Sequence, residues 1–194
     1  VEIASSEELG RRLAINPEQI RKDLAFFGQF GKKGVGYYVT ELKESIGSIL
    51  GLDQHWNVAI IGMGHLGAAL ANYQGIARLG FRLAAIFDAN PVVIGTRVGE
   101  RRVEDITYLA EIIAERDIRI GVIAVPAAAA QGVADKLVAA GIRGIWNFAP
   151  VSLQVPPHIP FVSEDLSVGL SSLSYYLSHV STDPNELSDK NSLN

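Results

Sequence analysis

The chain has 194 residues, 48% of them hydrophobic, enough for one medium domain or a domain plus a small module around a real core. A net charge of −4 excludes a uniformly basic nucleic-acid binder, and the absence of cysteine excludes disulfides and thiol switches, so any redox response must come through a bound ligand. No apolar run approaches the length of a membrane span and the N-terminus is acidic, so a cytoplasmic protein with no membrane partner is expected.

Ser5 and Glu8 have capping-box spacing, and Leu9 and Leu13 mark one face of a short helix ending near Ala14. A second helix starts almost at once, with Asn16 as N-cap, Pro17 at the first helical position and Gln19 able to complete the box. Ile20, Leu24 and Phe27 form its apolar stripe, while Arg21, Lys22 and Ala25 project from the opposite face. Residues 28–39 are punctuated by glycine, and Gly31-Lys32-Lys33-Gly34 reads as a turn with a returning strand at 35–39. The charge is concentrated here: Arg11, Arg12, Arg21, Lys22, Lys32 and Lys33 against Glu18 and Asp23 give residues 11–33 a balance of +4, so the remainder carries −8. Two helices joined by a tight turn and followed by a basic hairpin are what a winged helix-turn-helix needs. In that reading Arg21 gives the bidentate match to guanine and Lys22 a phosphate contact, with Lys32, Lys33 and Gly34 at the wing tip. The plainer alternative is a solvated helix face beside a polar turn. Leu42, Ile46, Ile49 and Leu50 then place a connecting helix over 40–50, and 51–54 is the joint to the longer remainder of the chain.

Beyond the joint, apolar strands alternate with helices: strands at 56–61, 81–87, 119–125, 143–147 and 160–163, helices near 65–78, 105–116 and 127–140. This is α/β grammar for a mostly parallel sheet. Residues 97–103 offer a further short strand without a clear place. Between the first strand and first helix lies Gly62-Met63-Gly64-His65-Leu66-Gly67. Gly62 allows a tight turn, Gly64 lets the backbone approach a pyrophosphate, and Gly67 lets the helix pack on the strand, while the helix N-terminus supplies partial positive charge. Asp88 ends the second strand, 21 residues after Gly67, a spacing that suits an acid on the adenine ribose. A carboxylate there accepts hydrogen bonds from both ribose hydroxyls and repels a 2′-phosphate, favouring NAD(H) over NADP(H), although Arg97, Arg101 and Arg102 are near enough in sequence to soften that preference. His65 either meets phosphate or faces solvent, with solvent the favoured reading, and His55, His158 and His179 lack metal-ligand spacing. A last amphipathic helix at 167–180 carries Leu170, Leu173, Tyr176 and Leu177 on one side, before a polar tail at 181–194 expected to be disordered.

The run from Ile20 through Gly28, continuing as Phe30-Gly31-Lys32-Lys33-Gly34-Val35-Gly36-Tyr37, resembles the DNA-reading part of Rex family redox-sensing repressors. The glycine loop, Ala71-Asn72-Tyr73, Phe87-Asp88 and Asn147-Phe148-Ala149-Pro150-Val151 fall where that family has its dinucleotide motifs, so the resemblance spans roughly residues 5–180. It implies a repressor that senses the NADH to NAD+ ratio, with NADH as inducer and NAD+ as competitor, on double-stranded palindromic operator DNA. It also implies a homodimer whose C-terminal helices exchange between subunits, assigning 167–180 to the dimer contact. The implied layout is a winged helix-turn-helix domain at 1–50, a Rossmann NAD(H)-binding domain at 51–166, the dimerisation helix at 167–180 and the tail at 181–194. By the same resemblance Val125-Pro126 and Asn147-Phe148-Ala149-Pro150 line the nicotinamide pocket, with Tyr73 near the ring and Leu166 where some relatives place an aromatic. For Phe148 and Val125 a plain sheet-core role is the simpler reading, while Tyr73 and Asp165 are polar groups at motif positions. One departure is that the chain starts at Val1, whereas a winged-helix domain normally has another helix before the two seen here, so the sequence reads as N-terminally incomplete. In the family an arginine on that helix pairs with a C-terminal aspartate, here Asp165.

Two other functions compete. An NAD-dependent dehydrogenase uses the same loop, but it needs an acid or base beside the nicotinamide and usually a substrate domain, and neither is found. A CoA-binding module uses a similar loop and leaves the basic helix and hairpin unexplained. The expectation is therefore a regulator and not an enzyme, with no catalytic residue and no metal.

Overall fold

A computed structural model describes residues 2–32 and 34–179. The chain forms two compact units: one runs to Gln54 and also takes in the end of the C-terminal helix from Tyr176, the other is His55–Tyr175. Lys33, Val180 and the tail 181–194 lie outside the described residues. Among the described residues no helix is long and apolar enough to cross a membrane.

The first unit contains β1 (Ile3–Ala4), α1 (Ser6–Leu13), α2 (Pro17–Phe27), β2 (Tyr37–Tyr38) and α3 (Val39–Ile49). Ser5 caps α1 by accepting from the Glu8 N–H at 3.1 Å, while the Glu8 carboxylate pairs with Arg12 one turn on. Asn16 caps α2 through the Glu18 N–H at 2.8 Å, but Gln19 does not complete a box: its amide donates to Asp23 at 2.6 Å instead. The helices meet closely because Gly10 faces the Ile15 carbonyl, where a Cβ would collide. Ala4, Ile20 and Tyr37 are buried, whereas Leu13 and Phe27, expected on apolar stripes, are exposed. The returning strand at 35–39 is also shorter than expected. Tyr37–Tyr38 is strand and pairs antiparallel with Ile3–Ala4, Gly36 bridges back across the turn to Lys32, and Val39 already begins α3.

The second unit contains β3 (Trp56–Ile61), α4 (His65–Ala71), α5 (Gln74–Arg78), β4 (Phe81–Asp88), β5 (Arg97–Val98), β6 (Arg101–Asp105), α6 (Leu109–Glu115), β7 (Ile118–Ile123), α7 (Ala127–Ala139), β8 (Gly144–Asn147), β9 (Phe161–Ser163) and α8 (Ser167–His179), with a 3-10 turn at Ile106–Tyr108. The strands make one sheet in the order β5-β6-β4-β3-β7-β8-β9, with every pair parallel except β5 and β6. Without the β5 flap this is the six-strand order of a doubly wound dinucleotide-binding sheet, β3 being its first strand. Residues 97–103 therefore do not form one strand but belong to a hairpin that turns at Gly99 (φ +58°). The helix expected over 65–78 is two helices, because Asn72 folds its amide back onto the Ala68 carbonyl and Tyr73 leaves the helical path.

The two faces of the sheet are covered unequally. On one face Ala59, Ile61, Ala85, Phe87, Ile123 and Ile145 pack with Leu109, Ile112, Val133 and Leu137 of α6 and α7. On the other, Val58, Ile60 and Val122 meet Leu70 and Ala71 of α4. No helix connects β8 to β9, so this second face carries a groove of about 460 Å³ beside Ile120, Trp146 and Val162. Arg116 forks onto both oxygens of Glu104 at 2.6 and 3.2 Å and donates to the Ala84 carbonyl at 3.0 Å, tying the end of α6 to β6 and β4.

Candidate dinucleotide site and nucleic-acid face

The strand order reverses at β3, between β4 and β7, and the loops leaving their carboxyl ends lie side by side. Ala124 donates to the Ile61 carbonyl at 2.8 Å, Gly62 to the Phe87 carbonyl at 2.8 Å, and Phe148 to the Ile123 carbonyl at 2.9 Å. A ligand crevice forms at such a reversal. The three loop glycines there meet three different demands. Gly62 has φ +100°, and a Cβ on it would strike the Ala124 carbonyl; a Cβ on Gly67 would strike the Gly62 carbonyl, so both are needed for packing. At Gly64 a Cβ would meet nothing within 4 Å, so the loop's exposed tip is open to a close-approaching group. The helix α4 that begins there has seven residues, so any positive character comes from the N–H groups of its first turn.

Asp88 stands at the end of β4 with its side chain already fixed: Oδ2 accepts from the Met63 N–H at 2.6 Å and Oδ1 from the Asn90 N–H at 2.8 Å. Beside it in the register, on β6, is Asp105, a second carboxylate that the sequence does not single out. The Thr107 N–H, and then its hydroxyl, hold Asp105 below the usual carboxylate range. The ends of β4 and β6 thus place two carboxylates side by side. Arg102 is turned away, donating to the Gly95 carbonyl at 3.0 Å.

His65 is exposed, and Met63 and Leu66 are half-buried within the loop. Val125 is half-buried against the core and approaches Gly62, and Pro126 is the N-cap position of α7. Phe148 stacks at a tilt on Trp146, ring centroids 4.6 Å apart, and Pro150 is exposed. Asn147 and Tyr73 have contrasting surroundings. Asn147 is 0% exposed and its side-chain hydrogen bonds are all internal, so its amide holds the loop that follows β8. Tyr73 is 64% exposed but lines the groove on the sheet's open face with Val58, Ile76, Phe81 and Trp146. That groove runs from Phe81, paired with Trp56 at the amino end of the sheet, to Glu164 just after β9. Asp165 accepts from both the N–H (2.8 Å) and the hydroxyl (2.6 Å) of Ser167 at the start of α8. Those bonds, the hydroxyl first, lower its pKa from the ordinary aspartate value.

In the first unit Lys22 is exposed on α2 and pairs with Glu18 at 3.0 Å. Arg21 reaches back to the Ser6 hydroxyl at 2.7 Å and the Glu7 carboxylate at 3.4 Å, so it is steadied by the start of α1. The hairpin closes where Lys32 and Gly36 exchange backbone hydrogen bonds at 2.9 and 3.0 Å, with Gly34 exposed at the tip (φ +79°). Lys32 lies over the Tyr38 ring, 5.5 Å from its centroid. Lys33 is outside the described residues.

Residues 53–151 match the family model for the CoA binding domain. The redox-sensing transcriptional repressor Rex of Clostridium perfringens is 46% identical over 179 residues, 92% of this chain and 84% of that protein. Its namesake in Chloroflexus aurantiacus is 47% identical over 91% of this chain and 84% of that protein. The crystal structure of RSP with β-NAD+ and operator DNA superposes with a TM-score of 0.88 at 42% identity, covering 98% of this chain and 85% of that one. RSP with β-NADH gives a TM-score of 0.81 at 40% identity, covering 98% and 86%. The CoA-binding match takes in only the α/β unit, whereas these relatives also cover the helix-turn-helix and hairpin. The α/β unit thus falls within the CoA binding domain family, and the chain as a whole belongs to the Rex family of redox-sensing transcriptional repressors.

Proposed function

We propose that this protein is a DNA-binding repressor that reads the NADH to NAD+ ratio and releases its operator when NADH binds. The observation that carries the reading is the presence in one chain of a carboxyl-edge dinucleotide crevice and a separate unit bearing a basic helix and basic hairpin tip. The Gly62 and Met63 N–H groups are held by the Phe87 carbonyl and by Asp88, so the backbone N–H groups of 64–66, at the loop tip and the start of α4, take the pyrophosphate, and Asp88 takes the adenine ribose. Val125, Pro126, Phe148 and Pro150 surround the nicotinamide. A ring that is neutral in NADH and cationic in NAD+ is discriminated by an apolar surround, because an unpaired buried charge is costly. Arg21 and Lys22 enter the major groove, and Lys32, Lys33 and Gly34 follow the backbone. Two copies, joined through 167–180, match the two halves of a palindromic operator in the cytoplasm. The layout in this reading is 1–50 for DNA, 51–166 for cofactor, 167–180 for dimerisation and 181–194 as tail.

The cofactor is the signal and not a reagent, and its effect on DNA equals its difference in affinity for the two conformations. The test is an anisotropy titration of palindromic operator-like DNA with NAD+, NADH, NADPH and CoA. NADH is expected to release the DNA, NAD+ to permit binding, and NADPH and CoA to do little. NADH that binds yet leaves operator affinity unchanged overturns the proposal, and release by CoA in its place would favour the CoA reading of the α/β unit.

A further inference from the structure

We infer that Asn147 is a positioning residue that couples the loop on the cofactor side of β8 to the start of helix α8, with Ser163 as its partner in that coupling. The inference rests on the proposed function, in which NADH occupies the carboxyl edge of the sheet and shifts DNA affinity. Asn147 is fully buried at the end of β8. Its Nδ2 lies 3.0 Å from the Ala149 carbonyl, 3.2 Å from the Val151 carbonyl and 3.0 Å from the Ser163 hydroxyl oxygen, while Oδ1 accepts from the Ala149 N–H at 3.0 Å.

An amide has two N–H hydrogens, and three acceptors face them here. The donor is oversubscribed, so its hydrogens divide between two acceptors in the 148–151 loop and one on β9. A small shift of that loop, which carries Phe148 and Pro150, changes the share that Ser163 receives. The residue just after β9 is tied to Asn147 as well, since the Glu164 N–H donates to the Asn147 carbonyl at 2.8 Å. Glu164 also accepts from the Trp146 indole at 3.3 Å, and the next residue, Asp165, holds Ser167 at the start of α8. Two residues of connecting chain therefore separate Ser163 from Leu166 and the helix. A packed network whose donor can redistribute among competing acceptors is the kind of element through which one site biases another.

The test uses the whole protein with the substitutions Ser163→Ala, Ser163→Thr and Asn147→Asp, measuring NADH affinity, operator affinity without NADH, and the factor by which saturating NADH weakens operator binding. Ser163→Ala keeps both loop acceptors, so the two separate affinities are expected to stay within about twofold, while the coupling factor, about 5–150 for a typical allosteric pair, falls to a small fraction of its wild-type value. Ser163→Thr keeps the hydroxyl and restores the factor. Asn147→Asp sets a carboxylate oxygen against three acceptors and is expected to weaken NADH binding as well. A merely structural role would lower the melting temperature of Ser163→Ala and leave the coupling factor alone, and that result overturns the inference. A wild-type protein whose operator affinity ignores NADH overturns the underlying reading and the inference with it, so the two failures are told apart by the wild-type control.

Discussion

At Gly67 the first turn of α4 rests on the Gly62 carbonyl so closely that a methyl group has no room. Gly67→Ala must therefore push α4 from β3; a destabilisation of about 1–3 kcal/mol is expected in denaturant unfolding, with a larger proportional loss in NADH titration, because the displaced residues are the loop itself. Gly64→Ala is the control: with open space around it, it should leave stability unchanged within about 0.5 kcal/mol and reduce cofactor affinity only. Asp165 supports a pH argument. Its pKa is lowered, first by the Ser167 hydroxyl and then by the Ser167 N–H, so its contribution to the start of α8 is complete above the unfolded aspartate value, about 3.9, and is lost as pH falls through the lower folded value. Between pH 5 and 8 the start of α8 should therefore be insensitive to this group, roughly as those reference values place it, and it should loosen only in stronger acid. Corrected amide exchange at Ser167 and Val168 checks this, and Asp165→Ala should remove the acid-dependent step. At this scale the sequence shows residue type well and direction poorly. Asp88 is legible because its spacing from the glycine loop is fixed by one strand-helix-strand unit. Asn147 is legible as a motif member but not as an inward-facing amide, since its partner Ser163 is 16 residues away and is brought close only by the pairing of β8 with β9.

Elements are recoverable where burial leaves a pattern. The later residues of β3, β4 and β7 are buried and apolar, so these strands are legible in the sequence, and the bounds of β3 agree to the residue. The break between α4 and α5 is not visible in the sequence, because the apolar spacing continues through it while a single amide, that of Asn72, ends the first helix locally. β2 is overextended by the sequence for a different reason: its partner is a two-residue strand at the start of the chain, and so short a segment has no period to detect. The helical layer offers a direct check on the core. Leu137 is fully buried on α7 and packs against Gly121 of β7, where a Cβ would meet its side chain. Leu137→Ala is expected to cost about 2–5 kcal/mol in denaturant unfolding, toward the upper part of that range if the sheet stays rigid around the cavity. Because α7 packs on the face away from α4, NADH affinity per folded molecule should change little.

For the whole molecule, a net charge of −4 conceals a division of labour: a basic stretch at 11–33 on an otherwise acidic chain. Within the first unit Lys22 and Arg21 are paired with Glu18 and Glu7. Exposed pairs of this kind are worth about 0–1 kcal/mol, so a DNA phosphate replaces them easily. Lys22→Ala is expected to weaken binding by a similar factor on operator and non-operator DNA and to reduce the slope of log affinity against log salt by about 1, as measured by anisotropy over a salt series. A change confined to operator DNA would instead make Lys22 a base reader. The Asp88 carboxylate held by Met63 and Asn90 has a consequence for time. Its rotamer and the loop beside it are fixed by backbone N–H groups, so in the proposed reading, where Asp88 meets the adenine ribose, that end of the crevice has little ordering left to do when a dinucleotide arrives. Association should then rise linearly with cofactor concentration without a slow isomerisation at that end. On the proposed reading the response time should then be set by how long the nicotinamide end holds on, and the protein should report the present ratio with little memory of the last one.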